Sequence, residues 1–488
     1  MRKIKVLALA LAVLMLIPII VSCKGPDEGS SNTSPGTVET HDDRLPLSVA
    51  AEDNKGKDIK ILLPTHDTLD YANEAGGTVV SQAVFGVDAQ VKAHLGINMS
   101  YTQLDGNWAT RATFNNRLLA MAMDSTAEFD LIMAETSASY GYALKNGLVL
   151  DLTTVEVLET DKPWYLSDML NTYGINGKLF GIRSDASLTD YSGMGAVFFN
   201  EEILDNHGLD NIYDLVEANK WTAEVMFGMA KKVGGAADGG VGNLASDTFG
   251  YVGHCVASRG FMTAFNANVT ERSTKDGNIY MKEAAGESFI EMYDYLSSVF
   301  ENNVSNMVVT VSADSDAGRG VFEAGRSLFY HGFLSTGEFF RDSDFDWGLA
   351  PVPMYNEEQG RYYTPAGASA MMIMIMKNAA DVELVGKVIE VKSYYSHYEA
   401  VPAYYEQTLG LQYANSPRQM DMLEIIRDTS VLTYLAAMCS NITPDPYNMY
   451  QMDTYWRDDK VQGSISTYYS GNVTSWNSQF ESLYKSLS

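Results

Sequence analysis

The stretch Asp58-Ile59-Lys60-Ile61-Leu62-Leu63-Pro64 decides the fold, because it is a short apolar run of the kind that forms a buried strand. Apolar residues at helical spacing follow it and end at Leu95, before Gly96, a residue typical of helix C-termini. The strand and helix pattern then repeats twice, over residues 97–104, 108–123, 129–133 and 139–145. This alternation predicts an α/β fold with a parallel sheet covered by helices.

Farther along the chain, the spacing predicts a hairpin turn at Asn176-Gly177 and a helix that begins after Trp221, with Thr222 as its N-cap. Pro417 suits the first turn of a helix that we expect to run to Met438. The other predicted strands and helices lie at residues 194–200, 288–300, 327–330, 370–376, 381–397 and 476–487.

The composition of the 488-residue chain excludes several classes of protein. Apolar residues make up 46% of it, enough to build large cores and to exclude wholesale disorder. Its 34 Lys plus Arg against 62 Asp plus Glu give a net charge of −28, which argues against nucleic acid as a partner. The seven histidines are dispersed, and no zinc-binding spacing of Cys and His occurs, so we expect no metal and no cofactor.

The N-terminus has the features of an export signal. Arg2, Lys3 and Lys5 precede an apolar run over residues 6–21, which is short for a membrane span and suits a secretory signal. Ser22-Cys23 at its end resembles the lipobox of bacterial lipoproteins, which implies a signal peptide over residues 1–22 and lipidation of Cys23. A plain signal or an uncleaved anchor is the alternative. Residues 23–56 are poor in large apolar side chains and predict a flexible tether.

Two cysteines remain beyond the tether, Cys255 and Cys439. An exporting compartment would allow them to pair, but buried free thiols are the favoured interpretation.

Five motifs along the rest of the chain carry a family resemblance, and they occur at residues 178–182 (KLFGI), 197–204 (VFFNEEIL), 220–222 (KWT), 322–329 (FEAGRSLF) and 346–353 (DWGLAPVP). In this order they resemble the extracellular solute-binding proteins of ABC importers, in the large sugar-binding family related to maltose-binding protein. The chain departs from the family pattern at Arg183, where a proline is usual, and at Asn200-Glu201-Glu202 in place of Asn-Lys-Asp. These departures concern subfamily and ligand.

The resemblance implies a two-lobed, type II periplasmic-binding-protein-like fold, in which each lobe is a sheet flanked by helices and a hinge joins the two. One lobe would hold residues 57–190 plus 354–410 and the other 196–350 plus 415–488, with hinge segments near 191–196, 349–353 and 407–417. Open parallel sheets bind ligands beyond the carboxyl ends of their strands, so a cleft between two such edges would hold the ligand.

Candidate ligand-binding residues are those that we expect at strand ends or near the cleft. Aromatic rings suit the faces of a sugar, while carboxylates, amides and arginine suit its hydroxyls. The candidates are Asp67, Trp108, Glu135, Tyr191, His331, Phe333, Trp456 and Arg457. Each has a structural alternative: a turn cap for Asp67, a helix-start contact for Glu135, packing for the aromatic residues and an ordinary hydrogen-bonded histidine for His331.

These expectations describe a monomeric receptor, anchored by lipid to the cell membrane and facing the extracellular or periplasmic side. It would capture a small solute, with a sugar or oligosaccharide as the favoured class, and deliver it to an ABC permease without chemistry. A secreted glycan-cleaving enzyme is the first alternative; it would need two carboxylates about 5–10 Å apart across the bond to be cleaved. The same fold binding a peptide or another polar metabolite is the second.

Overall fold

The apolar run that opens the domain is strand β1 (Lys57–Pro64) in the computed structural model, which describes residues 44–72, 74, 76–236, 239–310, 315–409, 417–438, 441–450 and 464–488. β1 pairs in parallel with β2 (Ile97–Leu104) along its whole length and with β3 (Leu131–Glu135) on its other side. Strand β12 (Met371–Ile375) joins β3 antiparallel, so the first sheet has the order β12-β3-β1-β2. β3 and β12 are buried throughout, as their unbroken apolar runs require.

The helix between β1 and β2 forms where the sequence predicts it. Helix α1 (Val79–Leu95) begins after Thr78, whose side chain accepts the N–H of Ser81, and buries its valine stripe against the sheet. It ends at Gly96, which adopts a left-handed conformation with φ 59°. A Cβ at this position would lie 2.7 Å from the backbone of Asp53, so both the turn and the close approach require glycine.

A second sheet follows in the chain, with the order β10-β4-β9-β5-β8. Strands β9 and β5 are parallel, as are β5 and β8, while β4 runs antiparallel to both β9 and β10. Its strands are β4 (Gly195–Asn200), β5 (Phe249–His254), β8 (Met307–Thr310), β9 (Ser327–Phe333) and β10 (Trp347–Ala350). Two short pairs complete the strands: β6 (Thr270–Arg272) with β7 (Ile279–Met281), and β11 (Thr364–Pro365) with β13 (Ser430–Val431).

The remaining α-helices connect and cover these strands. They are α2 (Arg111–Met121), α3 (Gly141–Lys145), α4 (Met169–Tyr173), α5 (Thr189–Ser192), α6 (Glu201–Asn206), α7 (Ile212–Glu217), α8 (Ala223–Ala230), α9 (Cys255–Ser258), α10 (Gly260–Ala264), α11 (Glu287–Asn302), α12 (Ser315–Glu323), α13 (Gly337–Phe340), α14 (Val382–Tyr395), α15 (Val401–Leu409), α16 (Pro417–Asp428), α17 (Tyr434–Met438) and α18 (Ile465–Ser486). Within the described residues, none of the helices has the length and apolar character needed to cross a membrane.

Two local predictions prove accurate in detail. The Asn176-Gly177 turn has φ values of 53° and 71°, and Ile175 bridges Lys178 across it, as a type I′ hairpin requires. Thr222 caps α8 by accepting the N–H of Val225, and Trp221 before it is fully buried, with its Nε1 donating to the carbonyl of Pro351 at 2.8 Å.

The long helix predicted from Pro417 to Met438 is wrong. The helix stops at Asp428, residues 430–431 form β13, and a separate helix begins at Tyr434. Thr364 donates its N–H to the carbonyl of Thr429 at 2.8 Å, and β13 pairs with β11. The backbone after Asp428 therefore adopts a strand conformation instead of continuing the helix. A tertiary contact thus overrides local helix preference. The helix predicted over 108–123 is also shorter, and the third strand lies two residues later than predicted.

Candidate functional site

A cavity of about 330 Å³ lies where the loops after β1 and β3 meet the segment after β9 and helix α15. Parallel strands end at a common edge of the sheet, which brings their following loops together. The second sheet contributes through Ser335 and Glu338, just beyond the end of β9. The lining comprises His66, Asp67, Thr68, Leu69, Glu135, Thr189, Ser192, Ser335, Glu338, Ser369, Met371, Tyr404, Gln407 and Thr408.

The two carboxylate oxygens of Asp67 differ: one accepts hydrogen bonds within a turn, and the other accepts none from the described residues. Its Oδ1 accepts the backbone N–H groups of Leu69 and Asp70 at 3.1 and 3.0 Å, so it closes the turn after β1. The residue is only 2% exposed, and its Oδ2 has no hydrogen-bond partner within the part of the chain that the structure describes. Burial raises the pKa of Asp67, because the charged form loses its hydration.

Asp70 belongs to the same turn and is only 1% exposed. Its carboxyl accepts the hydroxyl of Ser187 and, at 2.6 Å, the N–H of Leu188. Burial, followed by the charge of Asp67, raises the pKa of Asp70 well above its usual range. Hydrogen bonding from Asp70 acts in the opposite direction on the pKa of Asp67.

Glu135, the last residue of β3, is 5% exposed and lines the same cavity. Its Oε1 accepts the hydroxyl of Ser137 at 2.6 Å, and its Oε2 lies 3.4 Å from His66 Nε2. Burial raises the pKa of Glu135, while Ser137, His66 and the backbone N–H of Trp108 partly oppose that rise. The structure thus brings Asp67 and Glu135 together at one cavity, with the Trp108 backbone beside Glu135.

The Trp108 side chain does not line this cavity. It is 44% exposed, and the Arg111 guanidinium covers its ring at 4.1 Å from the centroid. A ligand-binding role for Trp108 stays a prediction.

Tyr191 lies at a different cavity, of about 350 Å³, together with Asp185 and Arg427. Its hydroxyl donates to Asp185 Oδ1 at 2.6 Å, and its ring packs edge-on against Tyr405. Asp185 Oδ2 also lies 2.6 Å from His397 Nδ1. The Tyr191 hydroxyl therefore belongs to a buried hydrogen-bond network, just before β4, the first strand of the second sheet in the chain.

His331 and Phe333 lie on β9, but they face different surroundings. His331 is fully buried among the rings of Phe261 and Tyr251, and its Nδ1 lies 3.0 Å from the Tyr251 hydroxyl. Burial lowers its pKa to about 3, so the ring is neutral at physiological pH. Phe333 is half-buried at the strand end, with its ring 5.5 Å from that of His254.

Several sequence predictions lie outside the described residues. Trp456, Arg457 and the lipidation candidate Cys23 belong to this group, as does Cys439, so the interpretation of Cys255 and Cys439 as free thiols stays a prediction. Among the described side chains, no group of three or more His, Cys, Asp or Glu residues could hold a metal ion.

Sequence reasoning missed much of the cavity lining. Gln407, Tyr404 and Glu338 come from helices far along the chain, and no local signal marks them as cavity residues. His66 could have been found, because it directly precedes Asp67 in the loop after the first strand.

No protein-family model and no curated protein sequence matches the chain. Solved structures do match. The galacto-N-biose/lacto-N-biose I-binding protein of a Bifidobacterium longum ABC transporter, in complex with lacto-N-biose, has a TM-score of 0.55 at 13% identity and covers 89% of this chain and 99% of its own. UgpB from Mycobacterium tuberculosis with glycerophosphocholine has 0.52 at 12%, covering 88% and 99%. An ABC substrate-binding protein from Listeria monocytogenes with cycloalternan has 0.51 at 14%, with the same coverage.

These likenesses extend over nearly the whole described chain and establish its architecture. The protein has the two-lobed α/β fold of ABC-transporter solute-binding proteins, with helix-flanked sheets, as the sequence predicts.

Proposed function

We propose that the protein is a solute-binding receptor of an ABC importer and that it captures a small carbohydrate between its lobes without chemically altering it. The observation that carries this proposal is the cavity beyond β1 and β3, where Asp67 and Glu135 are surrounded by hydroxyl and amide groups of both sheets' connections. Hydroxyl-rich ligands need many directed hydrogen bonds in a partly enclosed site. The sugar complexes among the structural neighbours support the same class of ligand.

The lobes we propose are residues 57–190 plus 354–410 and 196–350 plus 415–488, with a hinge at 191–196, 349–353 and 407–417. The strand pairing supports this division: β12 returns late in the chain to complete the first sheet, and β10 completes the second. Closure of the lobes on a bound solute would be the signal to the permease.

Phe333 and Trp108 are the aromatic residues that we propose for stacking, together with Trp456 and Arg457 from the segment outside the described residues. Asp67 and Glu135 are the proposed hydrogen-bond acceptors. For Tyr191, whose hydroxyl donates to Asp185, and for the fully buried His331, we propose contributions through ring contact only. Replacing Phe333 or Trp456 with Ala should weaken binding by about 1 kcal/mol or more through lost stacking. Unchanged affinity in both variants would remove them from the site.

Lipid attachment through Cys23, after removal of residues 1–22, is the proposed route to the membrane, with residues 23–56 as a tether and the receptor as a monomer. Cys23→Ala should release the protein from the membrane fraction. Membrane attachment that persists in this variant would refute the anchor.

A thermal-shift screen over sugars, peptides and other polar metabolites tests the central proposal. A true ligand raises Tm with its concentration, because it binds only the native state. Labelled oligosaccharide incubated with the protein should then be recovered bound and unaltered. Product release would instead favour the glycan-cleaving alternative, in which two carboxylates of the cavity would act on the ligand. A shift with peptides alone would show that the fold serves another class of solute.

A further inference from the structure

The cavity beyond β1 and β3 is strongly unbalanced in charge. Three carboxylates line it, those of Asp67, Glu135 and Glu338. Its described lining includes neither lysine nor arginine. The imidazole of His66 lies 3.4 Å from Glu135, and the charge of Arg111, outside the lining, lowers the pKa of Glu135, so Asp67 and Glu338 carry the surplus. The Arg341 guanidinium lies outside the lining and donates to the carbonyl of Gln407 at 2.7 Å. The cavity therefore presents negatively charged hydrogen-bond acceptors to a ligand.

A second observation, independent of this charge count, points to a ligand. Asp67 is 98% buried, yet its Oδ2 is unpartnered within the described chain while its Oδ1 holds the turn. A buried carboxylate oxygen without a donor costs free energy, and a charge costs more than a neutral group. The neighbouring Asp70 carboxyl is neutral or negative and therefore supplies no positive charge, and its oxygens accept hydrogen bonds from Ser187 and Leu188.

We infer that this cavity receives a protonated amine, so that the solute is an amino sugar with a free amino group. The inference rests on the proposed carbohydrate-binding function. A charge-assisted hydrogen bond from an ammonium group to a carboxylate is about twice as strong as a neutral one. A hydroxyl can satisfy Asp67 but leaves the surplus negative charge in place, while a carboxylate or phosphate on the ligand would add to it.

The experiment uses sugars in matched sets of three that share one skeleton: glucose, glucosamine and glucuronate, and the corresponding galactose and mannose sets. Isothermal titration at pH 7 measures Kd for each sugar with the full-length protein. In the set that fits best, we expect the amine to bind about tenfold tighter than the neutral sugar, and the uronate weakest. A neutral sugar that equals its amine, or a uronate that binds best, overturns the inference while sustaining the receptor function. No binding by any sugar overturns both.

The Asp67→Asn variant tests whether the preference for the amine over the neutral sugar depends on Asp67 Oδ2. The amide keeps an oxygen for the turn but replaces the free acceptor with a donor, so the preference for the amine over the neutral sugar should collapse. Asp105→Asn is the matched control, since Asp105 is exposed at the same sheet edge and bonds Thr65 outside the lining. It should leave the preference intact. Thermal melts of both variants show whether the fold is preserved, and an amine preference that survives in a folded Asp67→Asn protein contradicts the inference.

Discussion

Asp67 Oδ1 accepts the backbone N–H of Asp70 at 3.0 Å, so the carboxylate that lines the cavity also closes the turn after β1. If Asp67 binds the ligand as proposed, one side chain serves both ligand binding and local stability. Asp67→Ala should lose both turn bonds and lower the free energy of unfolding by about 1–2 kcal/mol. Asp67→Asn, which retains an acceptor, should lose less than half as much. Urea unfolding of both variants at pH 7 measures the difference, and equal losses would show that the turn does not depend on this carboxylate.

Replacing the buried Asp70 carboxyl with a neutral amide should make the protein more stable relative to the wild type as the pH rises. Its pKa in the native state is raised well above the ordinary 3.8, so the native state holds the proton more tightly than the unfolded chain. Stability from this group is therefore fully present below pH 3.8 and is lost as the pH rises through the native pKa. The loss is about 1.4 kcal/mol for each pH unit over that window.

Asp70→Asn removes the titration while preserving size. The Tm of the variant relative to the wild type should therefore increase from pH 4 to pH 8. Asp105→Asn, at an exposed carboxylate, is the matched control for removal of a carboxyl group. A pH-independent difference for Asp70→Asn would mean that Asp70 is ionised in the native state.

His331 predicts a pH dependence of the opposite sign. Burial lowers its native pKa to about 3 from 6.5, so the unfolded chain binds a proton in a range where the native ring stays neutral. Stability is fully present above pH 6.5 and falls by about 1.4 kcal/mol for each pH unit below it, until the native ring protonates. His331→Gln should flatten the stability profile between pH 6.5 and 4, whatever its effect at pH 7. Exposed His207→Gln is the matched control for removal of an imidazole.

The sequence predicts the first sheet well because its signals are local. Buried strands such as β1 have unbroken apolar runs, and Gly96 marks the end of α1 with a conformation that few other residues adopt. The interruption of the helix after Asp428 was beyond such reasoning. Its cause is a hydrogen bond from Thr364, which lies 65 residues earlier in the chain.

The cavity shows the same limit. Asp67 and Glu135 could be found because each follows or ends a predicted strand, and parallel strands end at one edge. Glu338 and Gln407 lie on α13 and α15, two helices far along the chain that reach the cavity only through tertiary packing. The full burial of His331 was equally hidden, because the rings that enclose it come from β5 and α10.

Helix α16 carries an arginine near each end, and their surroundings predict unequal effects. Arg427 donates from Nη2 to the carbonyl of Pro163 at 3.0 Å and lies 3.6 Å from Asp185, whose side chain is 10% exposed. Arg418 pairs with Asp214 and Glu217, whose side chains are 70% and 52% exposed. Solvent screens the second set of pairs far more than the first.

Arg427→Gln should therefore lower the free energy of unfolding by about 2–3 kcal/mol, because among the described residues it leaves the buried Asp185 carboxylate with His397 and Tyr191 as its side-chain partners. Arg418→Gln is the matched control on the same helix and should cost less than about 1 kcal/mol. Urea unfolding at low and high salt separates the two causes, since only the exposed pairs weaken appreciably with salt. Equal losses in the two variants would show that Arg427 contributes no more than a surface ion pair, and that α16 is held against residues 160–191 by packing alone.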